Sequence, residues 1–99
     1  MADTPEKKVK KKVVEILKQH GAYYFYPVTG GFGASGVPDV VACVNGRFIG
    51  IEVKADMKKR GPTALQQKNL NEINESGGVG IVIDANNLDA LEEALGGLK

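Results

Sequence analysis

Apolar residues near the start of the chain recur every three or four positions, which is the spacing of one side of an α-helix. This stripe consists of Val9, Val13, Ile16 and Leu17. Thr4 and Pro5 have the residue types preferred at the N-cap and in the first turn of a helix, and Gly21 ends the pattern. The aromatic run at 22–26 then predicts a strand.

Two strand-like apolar runs, at 37–44 and 47–54, flank the dipeptide Asn45-Gly46. Asn-Gly between two such runs is the strongest short-range signal for a β-hairpin. Before the hairpin, residues 27–36 are rich in glycine and predict an exposed loop.

The second half of the chain predicts a helix, a strand and a further helix. Thr63 can cap a helix that runs to about Ser76, and Gly77 follows as a helix-ending residue. Residues 79–83 form a short apolar run typical of a buried strand, and Asn87 can cap the last helix.

The order helix, three strands, helix, strand, helix predicts an α/β fold with a mixed sheet flanked by helices. The hairpin strands should be antiparallel. The last strand follows a helical crossover and should therefore lie parallel to its neighbour.

The chain has 99 residues, so we expect one domain spanning 1–99. No apolar run approaches the ~20 residues needed to span a bilayer, and the N-terminus has no signal-peptide pattern. We therefore expect no membrane association and a cytoplasmic location. Cys43 lies within an apolar run, and we expect a buried, inert thiol.

The net charge of +1 does not by itself indicate a nucleic-acid partner, but the charges are unevenly placed. Lysines crowd the first helix, a second basic cluster follows the hairpin, and acids gather near the end of the chain. This asymmetry suits a surface with one phosphate-facing side, although lysine runs on helices are often only solvated. The candidate DNA-binding residues are Lys7, Lys8, Lys11, Ser35, Lys58, Lys59 and Arg60.

A two-residue turn at 45–46 fixes the hairpin register and places Asp39 opposite Glu52. Lys54 lies two residues beyond Glu52 and therefore on the same face. At about 5 Å and an effective dielectric near 20, the two carboxylates repel each other by about 3 kcal/mol. A divalent cation such as Mg²⁺ or Mn²⁺ would remove this cost. Alternatively, Lys54 only pairs with one acid, or a bulge in the hairpin separates the acids.

Helical spacing adds Glu6 and Gln66 to this set. Glu6 lies three and seven residues before Val9 and Val13, so it should share their buried stripe and face the metal site, or else only stabilise the helix dipole. Gln66 should lie on the inward side of its helix, where it could reach a phosphate or an active-site water. A capping box with Thr63 explains Gln66 equally well.

The motifs G-V-P-D (36–39) and I-E-V-K (51–54) resemble those of the PD-(D/E)XK nuclease superfamily, and especially its VRR-NUC branch with small stand-alone virus-type members. Glu6 matches the acid of the family's first helix, and Gln66, within T-A-L-Q, matches its downstream glutamine. The resemblance implies a restriction-endonuclease-like fold, Mg²⁺ or Mn²⁺, and hydrolysis of DNA phosphodiesters. It also implies a Holliday-junction-resolving homodimer, in a bacterial or virus-infected cell.

On this interpretation the catalytic residues are Asp39, Glu52, Lys54 and Gln66. The metal ligands are Asp39, Glu52, the Val53 carbonyl and Glu6, the last acting directly or through water. A nuclease of the same fold acting on flaps, nicks or ends is one alternative. A DNA-binding module without catalysis is another, although it would not require Asp39, Glu52 and Lys54 all to be present.

Overall fold

The computed structural model describes residues 3–28 and 35–98 and confirms the predicted element order. The elements are α1 (Pro5–Gln19), β1 (Tyr23–Phe25), β2 (Val40–Val44), β3 (Arg47–Val53), α2 (Ala64–Glu75), β4 (Val79–Ile83) and α3 (Leu88–Gly96). Over these ranges, no helix combines the length and the apolar character needed to cross a bilayer.

The four strands form one mixed sheet in the order β1-β2-β3-β4. Strands β1, β2 and β3 pair in antiparallel fashion, and β4 lies parallel to β3, as the helical crossover predicts. Asn45 and Gly46 both have positive φ, at 51° and 79°, which is the backbone conformation that a tight hairpin turn of type I′ requires.

The register predicted for the hairpin is confirmed from Val44↔Arg47 to Val40↔Ile51, and these five consecutive pairs leave no room for a bulge between them. Asp39 and Glu52 come next, just beyond the last paired residues. The backbone positions of Asp39 and Glu52 are therefore the ones that the sequence predicted.

Helices cover the two faces of the sheet unequally. On one face, α1 and α3 bury the main hydrophobic core, which α1 enters through Val9, Val13 and Leu17. On the other face, α2 packs against β3 and β4, with Leu70 buried. A Cβ atom on Gly80 would lie 2.5 Å from the Leu70 carbonyl oxygen, so α2 lies very close to β4. Among the described residues, exposed side chains on β1 and β2 mark the part of this face that α2 does not cover.

The open part of the sheet overturns the expectation of a buried Cys43. Cys43 is exposed, and it lies in register with Tyr23 and Phe48 on the face that α2 covers only in part. Tyr23 is 73% exposed and Phe48 is 47% exposed. Tyr23 and Phe48, together with Phe25, form an exposed aromatic patch. The apolar sequence pattern alone would predict that such residues are buried.

The expectation of a buried Glu6 is also wrong. Val9, Val13 and Leu17 are buried as predicted, but Glu6 is exposed. It lies in the first turn of α1, one turn before Val9, which is the first buried residue of the helix. Helical spacing identified the correct side of the helix but not the point at which the core ends.

Gly36 belongs to the glycine-rich loop, of which 29–34, with Gly30, Gly31 and Gly33, lie outside the described residues. Gly36 has a φ of +76°, and a Cβ atom there would lie 2.8 Å from Leu65 Cγ and 2.9 Å from the Leu65 carbonyl carbon. Both the backbone conformation and the close approach of α2 therefore require glycine just before Asp39.

We predict that Gly36→Ala lowers the free energy of unfolding by more than the 1–2 kcal/mol, roughly, that a left-handed alanine costs by itself. Gly21→Ala is the matched control, because Gly21 has a φ of +71° but no atom within 4 Å of the point that a Cβ atom would occupy. Urea unfolding of both variants measures the difference. Equal losses would show that contact with Leu65 imposes no constraint at position 36.

Candidate active site

Asp39 lies directly before β2 and reaches across to β3 through its side chain. Its Oδ2 atom accepts a hydrogen bond from the Val53 backbone N–H at 2.9 Å. The Asp39 carboxylate thus takes the place of a β2 backbone carbonyl as the acceptor for the Val53 N–H. This contact fixes Asp39 against the strand that carries Glu52 and Lys54.

The N–H and C=O groups of one residue project to the same side of a β-strand. Because the Val53 N–H points to Asp39, the Val53 carbonyl also points to that edge of β3. On the other edge, the Lys54 N–H donates to the Ile83 carbonyl of β4 at 2.9 Å. The Val53 carbonyl, predicted as a metal ligand, is therefore directed toward the acid pair.

The Glu52 carboxylate is buried and has few polar partners to offset its loss of hydration. Only 2% of the residue is exposed, and its Oε2 atom lies 3.5 Å from Lys54 Nζ. Its Oε1 atom is also buried and has no hydrogen-bond partner among the described residues. Burial, followed by the charge of Asp39 and hydrogen bonding to it, raises the pKa of Glu52 from 4.5 to about 7, against the opposing effect of Lys54.

Lys54 connects the acid pair to the start of α2. Its ammonium, on a residue only 9% exposed, donates to Gln66 Oε1 at 3.0 Å. The same Oε1 atom accepts the Thr63 N–H at 2.9 Å, and Thr63 Oγ1 accepts the Gln66 N–H at 3.2 Å. The capping box predicted for Gln66 is therefore confirmed, and the same side chain also contacts Lys54.

Glu6 approaches this cluster from the side of α1. It lines a cleft of about 290 Å³ together with Lys54, Ala55, Asp56, Lys59 and Arg60. Among residues 3–28 and 35–98, however, no group of three or more His, Cys, Asp or Glu side chains is placed to hold a metal ion. The structure thus brings Glu6 to the mouth of the cleft but does not add it to the Asp39–Glu52 pair.

The basic residues proposed to bind DNA lie on several surfaces. Lys59 and Arg60 line the cleft at Lys54, and Lys58 is exposed beside them. On α1, Lys7 and Lys11 line a separate groove, whereas Lys8 faces Ala55 and Ala85 on another side of the helix. Ser35 is exposed near α2, where its carbonyl accepts the Asn69 side-chain amide at 3.2 Å.

Asp84 is a buried carboxylate that the sequence analysis did not identify. It follows β4, is 2% exposed, and accepts the backbone N–H groups of Met57 at 2.9 Å and Asn86 at 2.8 Å. The hydrogen bond from Met57 is the main cause of the lowered pKa of Asp84. This contact ties the segment after β3 to the end of β4. The sequence signal that could have identified Asp84 is its position directly after the predicted buried strand.

The donor atoms of the cluster suit a hard divalent cation. Carboxylate and backbone carbonyl oxygens are the ligands that Mg²⁺ and Mn²⁺ take, and the unpartnered Glu52 Oε1 is a buried acceptor with unused capacity. Asp39, Glu52 and the Val53 carbonyl therefore fit such an ion, with Lys54 as the adjoining positive charge.

We predict that Glu52→Gln makes the metal-free protein more stable at pH 8 by up to about 3 kcal/mol. Because the pKa of Glu52 is raised from 4.5 to about 7, its carboxyl group ionises at a lower pH in the unfolded chain than in the folded protein. The wild type therefore loses stability as the pH rises through that interval. The advantage of the variant should shrink as pH falls and disappear below pH 4.5. Urea unfolding with a chelator present measures it.

Glu75→Gln, an exposed change in α2, is the control for the loss of one negative charge. A Glu52→Gln variant that follows the same pH dependence as wild type would contradict the raised pKa of Glu52.

Comparison of the chain with protein-family models, with curated proteins and with solved structures gave no match.

Proposed function

We propose that this protein is a metal-dependent, structure-specific DNA endonuclease that hydrolyses phosphodiester bonds. The observation that carries the proposal is the burial of Glu52 beside Asp39, with one carboxylate oxygen lacking a partner among the described residues and Lys54 adjoining. A buried acid with a raised pKa, beside an ordered lysine that lines a cleft, is typical of catalytic sites.

Each residue of the cluster has a role that follows from its contacts. Asp39, Glu52 and the Val53 carbonyl would hold Mg²⁺ or Mn²⁺, which supplies charge neutralisation at a phosphate and lowers the pKa of a bound water. Lys54 can orient the attacking water or stabilise charge on the phosphate. Gln66 keeps the Lys54 ammonium in place through the bond between Gln66 Oε1 and Lys54 Nζ.

The restriction-endonuclease-like identity of the fold is part of this proposal. The antiparallel hairpin that carries Asp39 and Glu52, the parallel β4 and the intervening α2 that carries Gln66 support it. The sequence resemblance to VRR-NUC nucleases supports the same assignment, with Glu6 in the cleft and able to act through water.

The substrate we favour is a branched duplex such as a four-way junction, cut by a homodimer. The aromatic patch of Tyr23, Phe25 and Phe48 supports self-association, because these large apolar residues are exposed. The patch lies on the same sheet face as Glu52. A two-fold dimer through this patch would present two equivalent sites to two strands. Flaps, nicks and ends are the alternative substrates.

We expect a labelled four-way junction to be cut in Mg²⁺ or Mn²⁺, and we expect Lys54→Met to lower the rate by about 10²-fold or more. Methionine keeps most of the buried volume of Lys54 and removes its charge. Lys68→Met, an exposed change on α2, is the matched control. Nicked, flapped and linear duplexes of the same sequence establish which structure is cleaved.

Thermal unfolding with Mn²⁺ separates the nuclease from the binding-module alternative. Bound at a hundredfold excess over its Kd, the ion should stabilise the wild type by about 2.7 kcal/mol, and Glu52→Gln should abolish this gain. Junction binding with neither cleavage nor stabilisation by Mn²⁺ would refute the proposed enzyme and favour a DNA-binding module.

For the dimer, we predict that light scattering gives twice the 10.5 kDa chain mass and that Phe48→Lys restores the single-chain value, because a buried unpaired lysine opposes association. Val28→Lys is the control, since Val28 is 92% exposed and lies outside the patch. Maleimide labelling of Cys43 should slow as protein concentration rises. A wild type that remains monomeric at high concentration would contradict the dimer.

A further inference from the structure

A basic groove runs along α1 on a surface that the acid pair does not use. It encloses about 450 Å³ between the helix and the end of β1. Its lining residues are Lys7, Lys10, Lys11, Val14, Glu15, Lys18 and Tyr26. Four lysines and one glutamate thus face the same space, so the lining of the groove carries a net positive charge.

The positions of these lysines are unfavourable for the helix itself. Lys7 lies three and four residues before Lys10 and Lys11, and like charges at these spacings destabilise a helix by about 0.2–0.5 kcal/mol per pair. Within the described residues, three acids offset part of this repulsion: Glu15 in the groove, Asp3, which pairs with Lys11, and Glu6, four residues before Lys10. A polyanion in the groove would relieve the remaining repulsion.

Tyr26 gives the groove a recognition element besides charge. The residue is 47% exposed, and Lys10 Nζ lies 4.5 Å from its ring centroid. Its ring also meets that of half-buried Tyr24 edge to face, with centroids 6.1 Å apart. Tyr26 therefore contacts Lys10 over its ring and Tyr24 beside it, while 47% of the residue stays exposed to solvent.

An open aromatic ring among lysines distinguishes unpaired from paired nucleic acid. In a duplex, the faces of each base are covered by its neighbours, so only an unpaired base can stack on a protein ring. Lysines along the strand then bind the phosphates without regard to sequence. From Lys7 to Lys18 the helix rises about 16 Å, which accommodates a short stretch of single strand.

The groove also adjoins the candidate active site. Lys7 lines the groove, and the preceding residue, Glu6, lines the cleft at Lys54. A strand lying along α1 therefore leads toward the cleft at the N-terminal end of the helix.

We propose that this groove binds an unpaired polynucleotide strand, with a base stacked on Tyr26 and phosphates paired with Lys7, Lys10 and Lys18. The proposal rests on the proposed function in taking nucleic acid as the partner. It adds a second binding site, specific for single strands, beside the hydrolytic one.

Fluorescence anisotropy with a chelator present tests the groove without cleavage. The probes are a short labelled oligothymidylate, the matching oligouridylate and a blunt duplex of equal length. Tyr26→Ala should weaken oligothymidylate binding about tenfold, as the loss of one stacked base does, and change duplex binding less than about twofold. Tyr26→Phe keeps the ring and should bind like wild type.

Lys18→Gln carries the test independently of any effect of Tyr26→Ala on folding. It should weaken single-strand binding and reduce the slope of log K against log salt by about 0.7. Lys68→Gln, outside the groove, should do neither. Tighter binding of oligouridylate than of oligothymidylate would identify RNA as the source of the strand.

Equal weakening of single strand and duplex by Tyr26→Ala, or no effect of either groove variant, would overturn the proposal. A groove that binds single strands in a protein that cleaves no DNA would leave this proposal standing and refute the nuclease. Cleavage of blunt junctions without single-strand binding would do the reverse.

Discussion

The rest of the candidate site depends on the burial of Glu52 beside Asp39. Two neighbouring carboxylates with little water to screen them repel each other by a few kcal/mol, comparable to the gain from burying one large apolar side chain. The strand ladder withstands this cost because Ile49, Ile51 and Val53 of β3 enter the core on the opposite face. Sheet stability thus holds together a pair of groups that would separate in solution.

The two buried acids of this region show how environment decides their roles. Asp84 accepts two backbone N–H groups and has a lowered pKa, as expected of a carboxylate that fastens a loop. Glu52 has a lysine at 3.5 Å, an oxygen unpartnered among the described residues, and a raised pKa. The first acid is satisfied by the fold, whereas the second has binding capacity left for a ligand.

The sequence predicted those features that local rules determine. Asn45-Gly46 set the hairpin register, and the register placed Asp39, Glu52 and Lys54 on one face. The errors came from tertiary packing. The apolar character of both faces of its strand predicts a buried Cys43, but α2 packs mainly on β3 and β4 and leaves Cys43 exposed. The contact of Gln66 with Lys54 and the burial of Asp84 depend on where α2 and the segment after β3 settle, which no short-range pattern specifies.

The site is assembled from contacts of very different sequence separation, and this affects how it forms. The acid pair is closed by a two-residue turn, an event that takes microseconds in isolated hairpins. The contact of Lys54 with Ile83 requires the whole crossover through α2, and such non-local pairing is slow. We therefore expect Asp39 and Glu52 to meet before β4 supports the strand that carries one of them. Their repulsion would then act on the folding barrier as well as on the stability of the finished protein.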